Sequence, residues 1–191
     1  MRSKSTRGRL PACGLLLGLV LGPIMVLSGQ SPAPDSVNVP GWTPADRVRP
    51  SISVSVHQDR TTKLWTYTYR VSNQQSAAQA LTKLGLVLKV SVESAKAPDG
   101  WWAAVYNPPA VVPGVTFAAR QARDGSWPGA ATGGQQVVFK IVSRHGPGSV
   151  EFYARGDPPP ISLDTLDPVK QAQLPNEQQD ALRGTTVGPV P

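Results

Sequence analysis

Cysteine is almost missing from this 191-residue chain, and its one thiol, Cys13, lies ahead of the first apolar run. A lipidated cysteine would follow such a run, so a lipoprotein signal is disfavoured. With no thiol beyond residue 13, a cysteine-bridged antibody-type sandwich and thiol chemistry in the body are both excluded. Long apolar runs are missing too. The best, Gly14 to Leu27, contains Pro23 and has about 14 residues, where crossing a bilayer takes roughly 20. Acid is scarce: 12 Asp and Glu stand against 19 Lys and Arg, and none precedes residue 29. Setting aside Arg2, Lys4, Arg7 and Arg9 leaves a scattered +3 with no basic stripe interleaved with aromatics, so no nucleic-acid partner is expected. Metal and phosphate signatures are lacking as well. No His-x-x-x-His or Glu-x-x-His occurs, and Gly133-Gly134 lacks the Lys-Ser/Thr of a phosphate loop, so no cofactor or metal is expected.

What is present begins with an export signature. Basic residues from Arg2 to Arg9, the apolar run and small residues at Val26, Ser28 and Gly29 match a secretory signal over residues 1–28. If the segment stays attached, residues 10–27 become a membrane anchor. In both cases the rest crosses, because the basic end remains cytoplasmic. The expected location is therefore periplasmic or extracellular. Residues 29–50, rich in proline with Ser, Asp and Asn, read as a linker.

Residues 51–157 carry the strand patterns. Trp65, Tyr67, Tyr69 and Val71 alternate with Thr66, Thr68, Arg70 and Ser72, which puts aromatic rings on one face and hydroxyls with a guanidinium on the other. Ile52, Val54 and Val56 alternate likewise, and the polar stretch Asp59 to Lys63 should turn the two into a hairpin. One covered and one wet face imply antiparallel sheets in two layers, hence an all-β antiparallel sandwich. Leu84 to Val92 reads as a strand, although Leu81, Leu84 and Leu88 also fit a helical face. Further strands are expected at Trp101–Tyr106, around Val115 and Phe117, at 137–142 and at 149–154. The last two are joined by Ser143 to Gly148 as a hairpin. Adjacent tryptophans in a strand face opposite ways, so Trp101 or Trp102 has to be exposed or covered by a loop. Residues 158–191 show no strand pattern. They read as a flexible tail with helix starts at Asp167-Pro168 and at Asn176, and with Leu174 and Leu182 able to dock on the sheet.

The candidates for chemistry are few. His57 and His145 lie in or beside turns, and the only serine and histidine that can be nominated for hydrolysis are Ser126 and His145, without a Gly-x-Ser-x-Gly elbow. Exposed aromatics offer more. Trp101 or Trp102, Tyr106 and Trp127 are candidates for a flat platform on which sugar rings stack or a partner protein docks, against the plainer reading that they fill the ends of the sandwich.

Four pieces of sequence also carry a likeness: the aromatic strand ending in Val-Ser-Asn (Trp65 to Asn73), Gly100-Trp101, Pro113-Gly114, and Pro-Gly-x-Val-x-Phe-Tyr-Ala-x-Gly from Pro147 to Gly156. In that layout, over roughly residues 50 to 157, the chain resembles secreted bacterial β-sandwich domains of immunoglobulin or fibronectin type III-like shape, often without assigned function. The resemblance implies the fold and export and assigns no functional residue. The expectation is thus an exported, non-enzymatic binding or structural module, with an envelope protein or polysaccharide as partner. The alternatives are a glycan-binding module using its exposed tryptophans and a hydrolase with His145 as base.

Overall fold

The period-two alternation is realised as two antiparallel sheets. The computed structural model describes residues 24–25, 43–107, 109–110, 113–157, 168–172, 174 and 180–191. Sheet A runs in the order β1 (Ile24–Met25), β2 (Pro50–Gln58), β3 (Trp65–Asn73), β8 (Gln136–Ser143), β5 (Ser94–Lys96). Sheet B runs in the order β10 (Leu182–Pro189), β9 (Pro147–Gly156), β4 (Leu81–Val87), β7 (Gly114–Ala119), β6 (Trp101–Tyr106). The named strands pair antiparallel throughout. In immunoglobulin terms, β2-β3-β8-β5 occupies the places of A-B-E-D, and β10-β9-β4-β7-β6 those of G-F-C-C′-C″. The chain order departs between β4 and β8, since β5, in the place of D, precedes β6 and β7, and β6, in the place of C″, precedes β7, in the place of C′. The fold is an immunoglobulin-like sandwich without a disulfide.

Aromatic packing takes the place of the missing bridge. Tyr67, Tyr69 and Val71 of β3 are fully buried together with Phe139 and Ile141 of β8, and they meet Leu84, Leu86, Phe117 and Phe152 of sheet B. Phe139 reaches across the sandwich to stack on Phe117 at 4.4 Å and takes Trp101 edge-on at 5.1 Å. Such ring contacts add roughly 0.5–1.5 kcal/mol beyond the area they bury. The Tyr67 hydroxyl donates to the His145 carbonyl at 2.7 Å, while the Tyr69 and Thr186 hydroxyls are buried without a hydrogen-bond partner among the described residues. Burial pushes both tyrosines above their ordinary value of 10.0.

The β2–β3 hairpin forms as its pattern predicts. Asp59 accepts the backbone N–H groups of Thr61 and Thr62, both at 2.8 Å, which lowers its pKa, and Lys63 takes the left-handed conformation with φ of 60°. Other expectations are corrected. The strand expected to reach Val92 stops at Val87: Leu88 N–H still donates to the Pro113 carbonyl in register, but Pro113 has no N–H to return, and Val92 N–H goes to Asn107 Oδ1. The helical alternative for Leu81, Leu84 and Leu88 does not form. The link from Ser143 to Gly148 is no hairpin turn: β8 pairs in sheet A and β9 in sheet B, so it crosses between layers, and its inward faces meet across the core. Part of the expected linker is docked, with Ala45 and Val48 buried.

The tail is corrected most. Pro168 does open a short helix, α1 (Pro168–Ala172), as read. Leu182–Pro189, however, is the strand β10, paired along its length with β9. The helix start at Asn176 and the export segment, apart from β1, lie outside the described residues. Asp180, 4% exposed, fastens the entry to β10. Its Oδ1 accepts Ala45 N–H at 2.8 Å and its Oδ2 pairs with Arg155 at 3.2 Å. Desolvation outweighs these favourable contacts and raises its pKa. Beside it, buried Asn73 accepts Arg49 N–H and donates to the carbonyls of Gln79 and Ala131, so residues 43–49 are stitched onto this end of the sandwich.

Candidate functional site

The pleat decides which tryptophan faces water. On β6 the odd positions point inward, so Trp101 is 4% exposed against Phe139, and its indole N–H donates to the Gly129 carbonyl. The even positions point outward. Trp102 is 41% and Tyr106 48% exposed, with Ala104 between them. Trp101 therefore leaves the candidate set and becomes core. The third candidate, Trp127, sits in the loop after β7 and is partly buried against the core. Its loop is drawn close to β6 by glycine. Gly100 has φ of +78°, and a side chain on Gly129 would collide with the Gly100 carbonyl.

Trp102 and Tyr106 flank a low floor. At about 3.4 Å per residue, their Cα atoms lie about 14 Å apart along the strand. Across the ladder, Trp102 is opposite Ala118, Ala104 opposite Thr116 and Tyr106 opposite Gly114, so the surface between the two rings is paved with small residues. An aromatic that the sequence reading passed over closes the inner side. Tyr153 of β9 faces outward, its ring lies over Gly85 of β4, and its hydroxyl hydrogen-bonds Thr116 Oγ1 at 2.9 Å. Gly85 is the signal, since a glycine in a central strand marks a place where something else approaches closely. The result is a shallow trough on the outer face of sheet B with two exposed rings at its ends. The outer margin is open, because β6 is an edge strand with one row of backbone groups unpaired in the sheet.

The hydrolytic pair is not brought together. Ser126 lies in the loop that leads into Gln136, and His145 follows Ser143, so the length of β8, about 24 Å at 3.4 Å per residue, separates the two ends. Ser126 is already engaged. Its hydroxyl and its N–H both donate to Asp124 Oδ1, at 2.6 and 3.0 Å, in an exposed turn that lowers the Asp124 pKa. His145 N–H donates to Ser143 Oγ at 3.2 Å, and its carbonyl takes Tyr67. His57 is exposed on β2 opposite Thr66. Among the described residues, no group of three His, Cys, Asp or Glu is placed to hold a metal ion. Among them, too, no helix is long and apolar enough to cross a membrane.

No family model and no curated protein matches the chain. Among solved structures, the chain is similar to an uncharacterized protein from Nocardia farcinica whose crystal structure reveals an immunoglobulin-like fold. The identity is 19% and the TM-score 0.43, with 73% of this chain and 96% of that chain covered. The strand order derived above is what assigns the fold here.

Proposed function

We propose that this protein is an exported, non-enzymatic immunoglobulin-like module that binds an envelope polysaccharide through the outer trough of β6. The observation that carries the reading is the pair Trp102 and Tyr106, exposed on one face of a rigid edge strand with only small side chains between them. Large rings held in water cost stability unless something covers them. A sugar ring covers them well, because its axial C–H groups meet the negative face of an aromatic ring while its hydroxyls stay solvated. Two rings carried on Cα atoms about 14 Å apart fit an oligosaccharide better than a single sugar. Export rests on the basic and apolar segments before Ser28, and it places the module where such polymers are found.

The test is retention of the full chain on a polysaccharide array, alongside its melting temperature. Trp102→Ala and Tyr106→Ala should each lose retention and keep the wild-type melting temperature. Trp127→Ala should lower the melting temperature, because that ring packs on the core. Equal retention by wild type and both exposed variants would reject the reading. Mass spectrometry of the protein recovered from fractionated cells tests export: an intact Met1 in the cytosolic fraction contradicts it.

A further inference from the structure

The other outer face of the sandwich carries an independent signal. None of β2, β3, β8 and β5 contains an aspartate or a glutamate, and their outward positions hold Arg70, Lys96 and Lys140, all exposed. The register sets these cations side by side. Lys96 is directly opposite Lys140, Lys140 is opposite Thr68, and Thr68 is opposite Ser55, in one row across four strands. Arg70 follows Thr68 by two residues, which makes it the diagonal neighbour of Lys140 at about 7 Å. Directly opposed like charges destabilise a sheet. The nearby acids do not relieve them: Glu93 pairs with Arg144 at 2.7 Å, and Asp59 accepts the backbone of its own turn.

We infer that the outer face of sheet A is a docking surface for an extended, anionic polysaccharide, separate from the β6 trough. The hydroxyls of Ser55 and Thr68 and then Lys140 and Lys96 follow one another along a row about 14 Å long, at strand spacings of about 4.8 Å, with Arg70 beside the row. A chain that bears both carboxylates and hydroxyls complements such a row. Single-stranded nucleic acid is the poorer fit, since the rings of β3 and β8 turn inward and leave no platform for bases. A bilayer is the poorer fit as well, because Val138, 37% exposed opposite Arg70 on this face, is too short an apolar side chain to enter it.

The experiment measures binding of the full chain to polygalacturonate, to its neutral methyl ester, to single-stranded DNA and to anionic phospholipid vesicles, at low and high salt. Wild type should bind polygalacturonate in a salt-sensitive way, bind the methyl ester not at all, and bind DNA and vesicles more weakly. The Arg70→Ala/Lys140→Ala double variant should lose more than tenfold in affinity, while Lys140→Arg keeps most of it. The double variant should melt at or above the wild-type temperature, since it relieves repulsion at exposed positions, and Lys140→Arg, which keeps the charge, should melt with wild type. Comparison within the same full chain cancels any contribution from Arg2 to Arg9. Equal affinity of wild type and double variant overturns the inference, as does tighter binding to DNA or vesicles that depends on Arg70 and Lys140. Trp102→Ala should leave polygalacturonate binding intact, so failure here and failure of the β6 reading give different results.

Discussion

The two outer faces of this sandwich rest on one interior and have little else in common. Sheet A turns hydroxyls and unopposed cations to water; sheet B turns Trp102 and Tyr106 outward, with Tyr153 lying over Gly85. On sheet B Arg155 pairs with Asp180 at 3.2 Å; on sheet A Lys96 and Lys140 face each other, with no such pair among the described residues. The difference teaches that the inward positions of each strand fix the fold while the outward positions are free to diverge. Function then belongs to a face and cannot be inferred from the fold.

If the interior is shared, its largest disruption should remove both faces together. Phe139→Ala takes away a ring that contacts Phe117 and Trp101, and should cost about 3–5 kcal/mol in denaturant unfolding. A loss below about 1 kcal/mol would mean that the sheets hold independently, and the comparison would fail. Next comes Asp180→Ala, which takes the Oδ1 acceptor from Ala45 N–H and the Oδ2 acceptor from Arg155 Nη2, while Arg155 Nε keeps the backbone carbonyl of residue 180. It should cost about 3 kcal/mol, and the change should appear as earlier hydrogen exchange in β10 than in sheet A.

Alkaline titration probes the interior more gently. The folded state keeps the Tyr69 proton, since burial raises its pKa above 10.0. A group raised in the folded state gives its full contribution below the unfolded pKa and loses it as pH rises. Stability should therefore be flat below pH 10.0 and fall above it by about 1.4 kcal/mol per pH unit for this one group. Tyr69→Phe should shallow that slope. At neutral pH the same change should leave stability equal to wild type or up to about 1 kcal/mol higher, because the lost hydroxyl has no hydrogen-bond partner among the described residues. The smallest expected effect lies on sheet A. Lys96→Glu turns the opposed pair with Lys140 attractive and should stabilise by about 0.5 kcal/mol, read as a small rise in melting temperature that salt abolishes.

Much of this architecture could be read in the sequence, where side chains spell the pleat. β2, β3, β7 and β8 alternate in sequence as they do in space, and the Asp59 to Lys63 turn closes the hairpin it suggests. β10 was hidden because it fills the core with other strands' side chains. A side chain on Gly184 would collide with the Phe152 ring and one on Gly188 with Val150, so Leu-Arg-Gly-Thr-Thr-Val-Gly-Pro shows no apolar alternation. The β8–β9 crossing was hidden for another reason: glycine and proline mark a change of direction without saying whether the chain returns in its own sheet or the opposite one. At the candidate site, the pleat required Trp101 and Trp102 to part, and only the packing of Phe139 decided which went inside. Tyr153 was missed because its ring lies over a glycine of another strand. The cations of sheet A were in plain view at alternate positions, but summing charge over the whole chain averaged them away.

The account depends most on the rings of β6 carrying the binding. Isothermal titration of wild type, Trp102→Phe and Trp102→Ala with an oligosaccharide drawn from the array tests this directly. Phe should retain most of the affinity and Ala should lose it, with all three melting alike, because a stacking face is what the trough offers. Affinity that survives in Trp102→Ala, or that is lost equally in Trp102→Phe, contradicts the account.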